Sequence, residues 1–161
     1  MFAQLDTKSV YSFMDSVVDL NSYVARAKEL GYQSLGLMDR DNLYAAYHFA
    51  QLASGNGLRP LIGMEANLFY EGRKIPFRLL AKNNQGYKNL MKLATELSSG
   101  QREFTAFSDY LNAIALILPS EDWEPGMTLG SEVFIGVRPE DAGKEFDYPV
   151  VPLHTVRYFE N

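Results

Sequence analysis

Cysteine is absent from this 161-residue chain, and histidine occurs only twice, as His48 and His154. The first absence excludes disulfides and thiolate metal sites and agrees with a cytoplasmic setting. The second leaves too few imidazoles for a multi-metal centre built on the commonest transition-metal ligand. No run of about 18 apolar residues occurs, so no membrane span is expected. The opening residues show no basic segment followed by an apolar core, and no secretory signal is expected. Basic charge is also short: 15 Lys and Arg against 20 Asp and Glu leave a net charge of -5. A domain that grips a phosphate backbone by itself ordinarily carries a basic excess, so tight DNA binding by this chain alone is not expected.

What is present suits one globular domain over 1–161, with 47% hydrophobic content and no repeat, low-complexity stretch or linker. Leu5 belongs to a short apolar opening strand ending near Asp6. Leu20, Val24, Ala27 and Leu30 recur at helical spacing, and Gly31 stops that helix. Ser34 to Met38 reads as a strand with Asp39 at its C-terminal end. Asp41 or Asn42 is expected to cap a helix that buries Leu43, Ala46, Tyr47 and Ala50. Leu61 to Tyr70 and Ile75 to Leu80 read as strands joined by a turn at Glu71-Gly72. Tyr87, Leu90, Met91, Ala94 and Leu97 mark another amphipathic helix closed by Gly100. Ala113 to Leu118, Val133 to Val137 and Val150 to Leu153 complete the strands, with Ser120 to Gly130 a loop. Apolar strands alternating with helices predict an α/β fold with a mainly parallel sheet, interrupted by one hairpin. This pattern does not separate an open sheet from a barrel.

Five segments occur in an order that resembles the PHP (polymerase and histidinol phosphatase) family. The opening run MFAQLDTKSVYSFMD is similar to its first motif, which alternates histidines. Leu35 to Leu43 is similar to its second, which reads D-H-G-N-L. Leu61-Ile62-Gly63-Met64-Glu65-Ala66 resembles I-G-C-E-A, whose glutamate is a metal ligand in that family. Leu79-Leu80-Ala81-Lys82-Asn83-Asn84-Gln85-Gly86-Tyr87-Lys88-Asn89-Leu90 resembles the long L-L-A-K-N-x-x-G-Y-x-N-L signature of the polymerase branch. Leu153-His154-Thr155-Val156-Arg157-Tyr158 is similar to the closing T-N-D-V-H-Y. The resemblance implies a distorted α/β barrel with its site at the C-terminal strand ends. It also implies the domain that opens a bacterial replicative DNA polymerase III alpha subunit, here an excised N-terminal fragment.

The departures fall on ligand positions. Gln4, Asp6, Lys8 and Arg40 stand where the family has histidines, Thr155 replaces an aspartate and Arg157 a histidine. Only Asp39 and Glu65 keep the family's identity. An ammonium or guanidinium has no lone pair to give a cation, so Lys8, Arg40 and Arg157 cannot replace ligands for metal-centred hydrolysis. Gln4, Asp6, Lys8, Asp39, Arg40, Glu65, Thr155 and Arg157 are therefore expected to form a degenerate former-metal cluster. In it three cations (Lys8, Arg40, Arg157) neutralise three carboxylates (Asp6, Asp39, Glu65), with no catalytic residue and no metal.

Taken singly, these positions have ordinary readings. Asp39 to Asn42 reads equally as a loop with a helix cap, and Asp6 with Lys8 as a solvated strand face. His48 reads as a packing or surface residue and His154 as structural, and the many aromatics as core. The leading expectation is a structural, non-hydrolytic domain supporting a polymerase, whose partners are the remainder of the alpha subunit and the replisome. No cofactor is expected in the domain, with Mg²⁺ confined to the polymerase module. The competing readings are an active metal-dependent phosphoesterase, such as a 3'-5' exonuclease, and an unrelated α/β binding domain.

Overall fold

The computed structural model describes residues 3–12, 14–130, 132–141 and 143–157; Tyr158 of the closing motif lies outside them. Among the described residues nine strands appear: β1 (Ala3–Gln4), β2 (Asp6–Thr7), β3 (Ser34–Arg40), β4 (Arg59–Tyr70), β5 (Arg73–Ala81), β6 (Ile114–Pro119), β7 (Val133–Val137), β8 (Val150–Pro152) and β9 (Thr155–Val156). Three α-helices, α1 (Leu20–Glu29), α2 (Ala46–Gly55) and α3 (Asn84–Ser98), lie among them. Seven strands form one sheet in the order β1-β3-β4-β5-β6-β7-β8, in which only β5 runs against its neighbours. Its two ends meet. Leu5 separates β1 from β2, Leu153 and His154 separate β8 from β9, and β2 pairs with β9 in parallel. The curled sheet is thus tied into a distorted barrel, as expected.

Gly36 makes that closure possible. Its Cα faces the backbone of Leu5, and a Cβ there would overlap the Leu5 carbonyl. The strand therefore crosses β3 closely before turning to meet β9. Gln4 fastens the same seam: its side-chain amide donates to the carbonyls of Asp6 (3.1 Å) and His154 (2.6 Å).

The hairpin follows from two residues. Glu71 and Gly72 have φ of 50° and 78°, the left-handed pair of a two-residue turn whose twist matches the strands. Tyr70 then faces Arg73, and the register runs down the ladder to place Glu65 opposite Arg78.

The long signature resembling the polymerase branch has a local physical account. Asn83 caps α3, accepting from the amides of Gln85 and Gly86. Gly86 lets the helix rest on the Ala113 carbonyl, into which a Cβ would run. Asn89 is buried and donates to the Asn112 carbonyl at 2.8 Å. Leu79, Leu90, Leu93 and Leu97 join Met64, Phe77 and Phe107 in the main core outside the sheet. A second core packs α1 and α2 on the other flank. Inside the barrel, Met38, Ile117 and Leu153 form a small apolar plug with Leu5, Leu80, Phe134 and Val151.

Three helix expectations are corrected. Leu30, read as part of the apolar face of α1, is exposed at the C-terminal cap, and Tyr23 is buried with Leu20, Val24 and Ala27. α2 begins at Ala46 with Ala45 at the cap position and no side-chain cap. Asp41 sits instead at φ 54°, accepts from the Asn67 amide and pairs with Arg102 at 2.6 Å. Tyr47 is exposed, and the buried face is Ala46, Phe49 and Ala53. Met91 is likewise outside and Leu93 inside. Ala46, Leu90 and Leu97 are buried as expected, while Tyr47 and Met91 are not, because tyrosine and methionine satisfy a hydropathy pattern without being buried.

Candidate functional site

At the C-terminal strand ends a charged layer lies over the apolar plug. Its centre is Lys8, which follows β2 and is completely buried. The ammonium meets Glu65 Oε2 at 2.6 Å, the Met38 carbonyl at 3.3 Å and Asp6 Oδ1 at 3.7 Å. Arg78 on β5 closes the arrangement from across the hairpin. Its Nε donates to Asp6 Oδ2 at 3.0 Å, and Nη2 lies 3.3 Å from Glu65 Oε2. The Thr155 hydroxyl also donates to Asp6 Oδ2, at 2.5 Å. Glu65 accepts a further bond from Arg40 Nε at 3.0 Å. Asp6, Lys8, Glu65 and Arg78 are thus interlocked and buried, so the solvated-face reading of Asp6 and Lys8 is overturned.

Burial alone pushes the Glu65 carboxyl up, but the charges of Lys8 and Arg78 and the hydrogen bonds from Lys8 and Arg40 outweigh it. The group is held below its ordinary value. Partial burial acts against the Arg40 guanidinium, while Glu65, Asp15 and Asp41 favour the charge and hold it above its ordinary value.

Asp39 and Arg157 are not paired as expected. Asp39 is held by neutral donors: the Ser9 amide, the Ser9 hydroxyl and the Ser12 hydroxyl, each at 2.7 Å. Short hydroxyls from the loop after β2 reach it where a long cation would need more room. Arg157 turns outward to Asp15 at 3.1 Å, and Arg40 reaches the same carboxylate at 2.7 Å. The layer therefore has an inner network around Lys8 and an outer one around Asp15. Gln4 belongs to neither and serves the seam.

Four members were missed: Ser9, Ser12, Asp15 and Arg78. The signal for Arg78 was present, since a two-residue turn at Glu71-Gly72 fixes the register and sets an arginine opposite Glu65. The serines and Asp15 carry no comparable sequence signal. His48 and His154 are exposed, away from any ligand role in this layer.

An α/β barrel with a polar layer at the strand ends is the architecture of many catalytic and binding domains. Residues 4–124 match the PHP domain family, and the chain belongs to it. The DNA polymerase III subunit alpha of Streptococcus pyogenes serotype M1 is 45% identical over 161 residues, covering 99% of this chain. That of Bacillus subtilis (strain 168) is 34% identical over 126 residues, covering 74% of this chain. The chain spans only 16% and 11% of those two relatives. In fold it is similar to an amidohydrolase from Chromobacterium violaceum, with a TM-score of 0.50 at 18% identity over 61% of this chain and 34% of that one.

Membership of this family implies a metal centre, and the residues present do not fit one. Lys8 Nζ stands between Asp6 and Glu65, and both carboxylates already bind cationic side chains. Among the described residues no three His, Asp or Glu side chains converge as metal ligands. A divalent ion placed here would meet an ammonium and guanidinium groups before it met enough lone pairs.

Proposed function

We propose that this chain is the N-terminal PHP domain of a bacterial replicative DNA polymerase III alpha subunit, and that it supports the polymerase module without hydrolysing phosphoesters. The family and the similarity to two alpha subunits support the first part. The observation that carries the second is the Lys8 ammonium, buried 2.6 Å from Glu65, between carboxylates of the kind that would hold a metal. Water activation at neutral pH needs a Lewis acid or a tuned base, and among the described residues the charged layer offers neither a carboxylate without a bound donor nor an imidazole. In this role the domain works in the cytoplasm. It contacts the rest of the subunit and, through it, the replisome, while Mg²⁺ for nucleotidyl transfer resides in the polymerase module. No described helix is long and apolar enough to cross a membrane.

The test deletes residues 1–161 from the parent polymerase and measures thermal unfolding together with primer extension. The expected result is loss of stability or of extension activity. Unchanged stability with full extension would refute the supporting role. Separately, the isolated chain should release no nucleotide from labelled single-stranded DNA with Mn²⁺, Zn²⁺ or Mg²⁺, and nuclease activity abolished by Glu65→Gln would refute the non-hydrolytic reading.

A further inference from the structure

The loop that joins β2 to α1 reverses the usual pattern of a surface loop. Its polar side chains are turned inward. Ser9 and Ser12 donate to Asp39, Asp15 meets Arg40 and Arg157, and the Ser16 hydroxyl donates to the Lys8 carbonyl at 2.5 Å. Its apolar side chains are turned outward: Val10, Tyr11 and Val17 are more than half exposed, and Met14 is 92% exposed. Water alone favours the opposite arrangement. Tyr44 and Tyr47, at the entry to α2, continue the exposed surface. The Asn42 side chain couples the two segments, donating to the Tyr11 carbonyl at 3.2 Å and accepting from the Tyr44 amide at 3.1 Å. Six of the ten large hydrophobic residues exposed among the described residues therefore sit on two adjoining segments. Singly scattered exposure needs no explanation, but a concentration of this kind marks an interaction surface.

The loop is also fixed in shape. Met14 holds φ at 59°, which a residue other than glycine keeps only where its surroundings impose it. The Val10 amide donates to the Val18 carbonyl at 3.2 Å, and the Val17 amide to the Arg157 carbonyl at 3.1 Å. A surface held ready in this way loses little freedom when it docks. Tyrosine and methionine are residues that the centres of protein interfaces favour.

We propose that Val10, Tyr11, Met14, Val17, Tyr44 and Tyr47 form the face on which the polymerase module of the same subunit packs. This rests on the reading of the chain as a polymerase domain, and adds where the contact lies. Two observations select that occupant. The chain spans only 16% of its Streptococcus pyogenes relative, so under that reading the rest of the subunit is several times larger than this domain. The bond from Val17 to Arg157, just past β9, sets the surface beside the strand after which that module follows. A tethered module meets the patch at about millimolar effective concentration, whereas a free partner needs a standard interface of about 800 Å² a side.

The experiment compares oxidation of methionine by dilute hydrogen peroxide in the 161-residue chain and in the full-length parent polymerase, read by mass spectrometry. Met14 should form sulfoxide about ten-fold or more slowly in the parent. Met91, 43% exposed on α3, is the control and should react at the same rate in both. Equal Met14 rates would overturn the proposal. In a second arm, Met14→Ser combined with Tyr44→Ser should lower the melting temperature of the parent and leave that of the 161-residue chain unchanged. An unchanged parent would likewise overturn it. If deleting residues 1–161 weakens the parent while both arms are negative, the supporting role stands and only this face is refuted. Protection of Met14 in a parent that tolerates the deletion would keep the face and refute the supporting role. Dimerisation of the 161-residue chain in sedimentation, lost in the double variant, with Met14 unprotected in the parent, would assign the surface to a second copy and refute the proposal.

Discussion

Replacing Lys8 by methionine removes a buried ammonium and keeps an unbranched side chain of similar size. Removing one partner of a buried ion pair costs about 3–5 kcal/mol when the other charge is left alone. Neither carboxylate is left alone here. Glu65 keeps Arg40 at 3.0 Å and Arg78 at 3.3 Å, and Asp6 keeps Arg78 at 3.0 Å and the Thr155 hydroxyl at 2.5 Å. The expected loss is therefore about 2–4 kcal/mol, toward the lower part of what a stranded charge would cost. Urea unfolding is the assay. With a slope of about 2–3 kcal/mol per molar, the midpoint should fall by about 1–2 M. Lys82→Met is the internal control, because its pair with Glu132 is nearly half exposed and worth less than about 1 kcal/mol. Adding Glu65→Gln to Lys8→Met should return part of the loss, since the pair is then removed together. A Lys8→Met midpoint no lower than that of Lys82→Met would refute the reasoning, and with it the idea that Lys8 neutralises the strand ends.

Arg78→Met should cost more than Lys8→Met, about 3–5 kcal/mol by the same assay, because the only cation Asp6 then keeps among the described residues is the ammonium 3.7 Å away, beside the neutral Thr155 hydroxyl. Acid should weaken the fold through Glu65. Its folded pKa is depressed, so its contribution is complete above the ordinary value of about 4.3 and is lost as pH falls through the folded value. Melting temperatures between pH 6 and pH 2.5 should thus fall less steeply in Glu65→Gln than in the native chain, and equal slopes would contradict the pairing. Gly36→Ala should destabilise by roughly 2–3 kcal/mol, since a methyl group has no room against the Leu5 carbonyl. A neutral result in chemical unfolding would mean that the seam is looser than drawn.

Much of the architecture was legible because it rests on period and punctuation. Glycines, the Glu71-Gly72 turn and continuous apolar runs placed α1, α3 and the strands from β3 to β8 close to where they lie. Barrel closure was not legible from pattern. It depends on two two-residue strands, β2 and β9, too short to show a period, and came only from the resemblance. The errors at Tyr47 and Met91 have one cause: an amphipathic side chain fits an apolar stripe on paper and faces solvent in space.

The site was legible in its composition and less so in its pairing. Substituted ligand positions pointed to Lys8, Asp6 and Arg40 and a retained one to Glu65, and the structure brings these together. Which cation meets which carboxylate depends on side-chain reach. Asp39 lies under a loop whose serines arrive first, and Arg157 is drawn to Asp15, which no motif marked. Arg78 could have been found by counting across the hairpin, because register is fixed wherever a two-residue turn is.

The charge count of the finished layer bears on why such a barrel would keep its shape. Asp6, Asp15 and Glu65 are paired with Lys8, Arg40, Arg78 and Arg157 while Ser9 and Ser12 hold Asp39, so the four carboxylates are matched in number by cations that are part of the chain. Where carboxylates are instead balanced by bound metal, folding stability is linked to metal concentration and falls when the ion is withdrawn. A covalently supplied ammonium has no such dependence. Under the proposed supporting role this is an advantage, because a module that must hold a polymerase in shape is then indifferent to the ions that serve catalysis elsewhere. It also fixes the direction of a simple measurement. EDTA should leave the melting temperature of this chain unchanged, and a fall on chelation would show that a metal ion contributes to the fold.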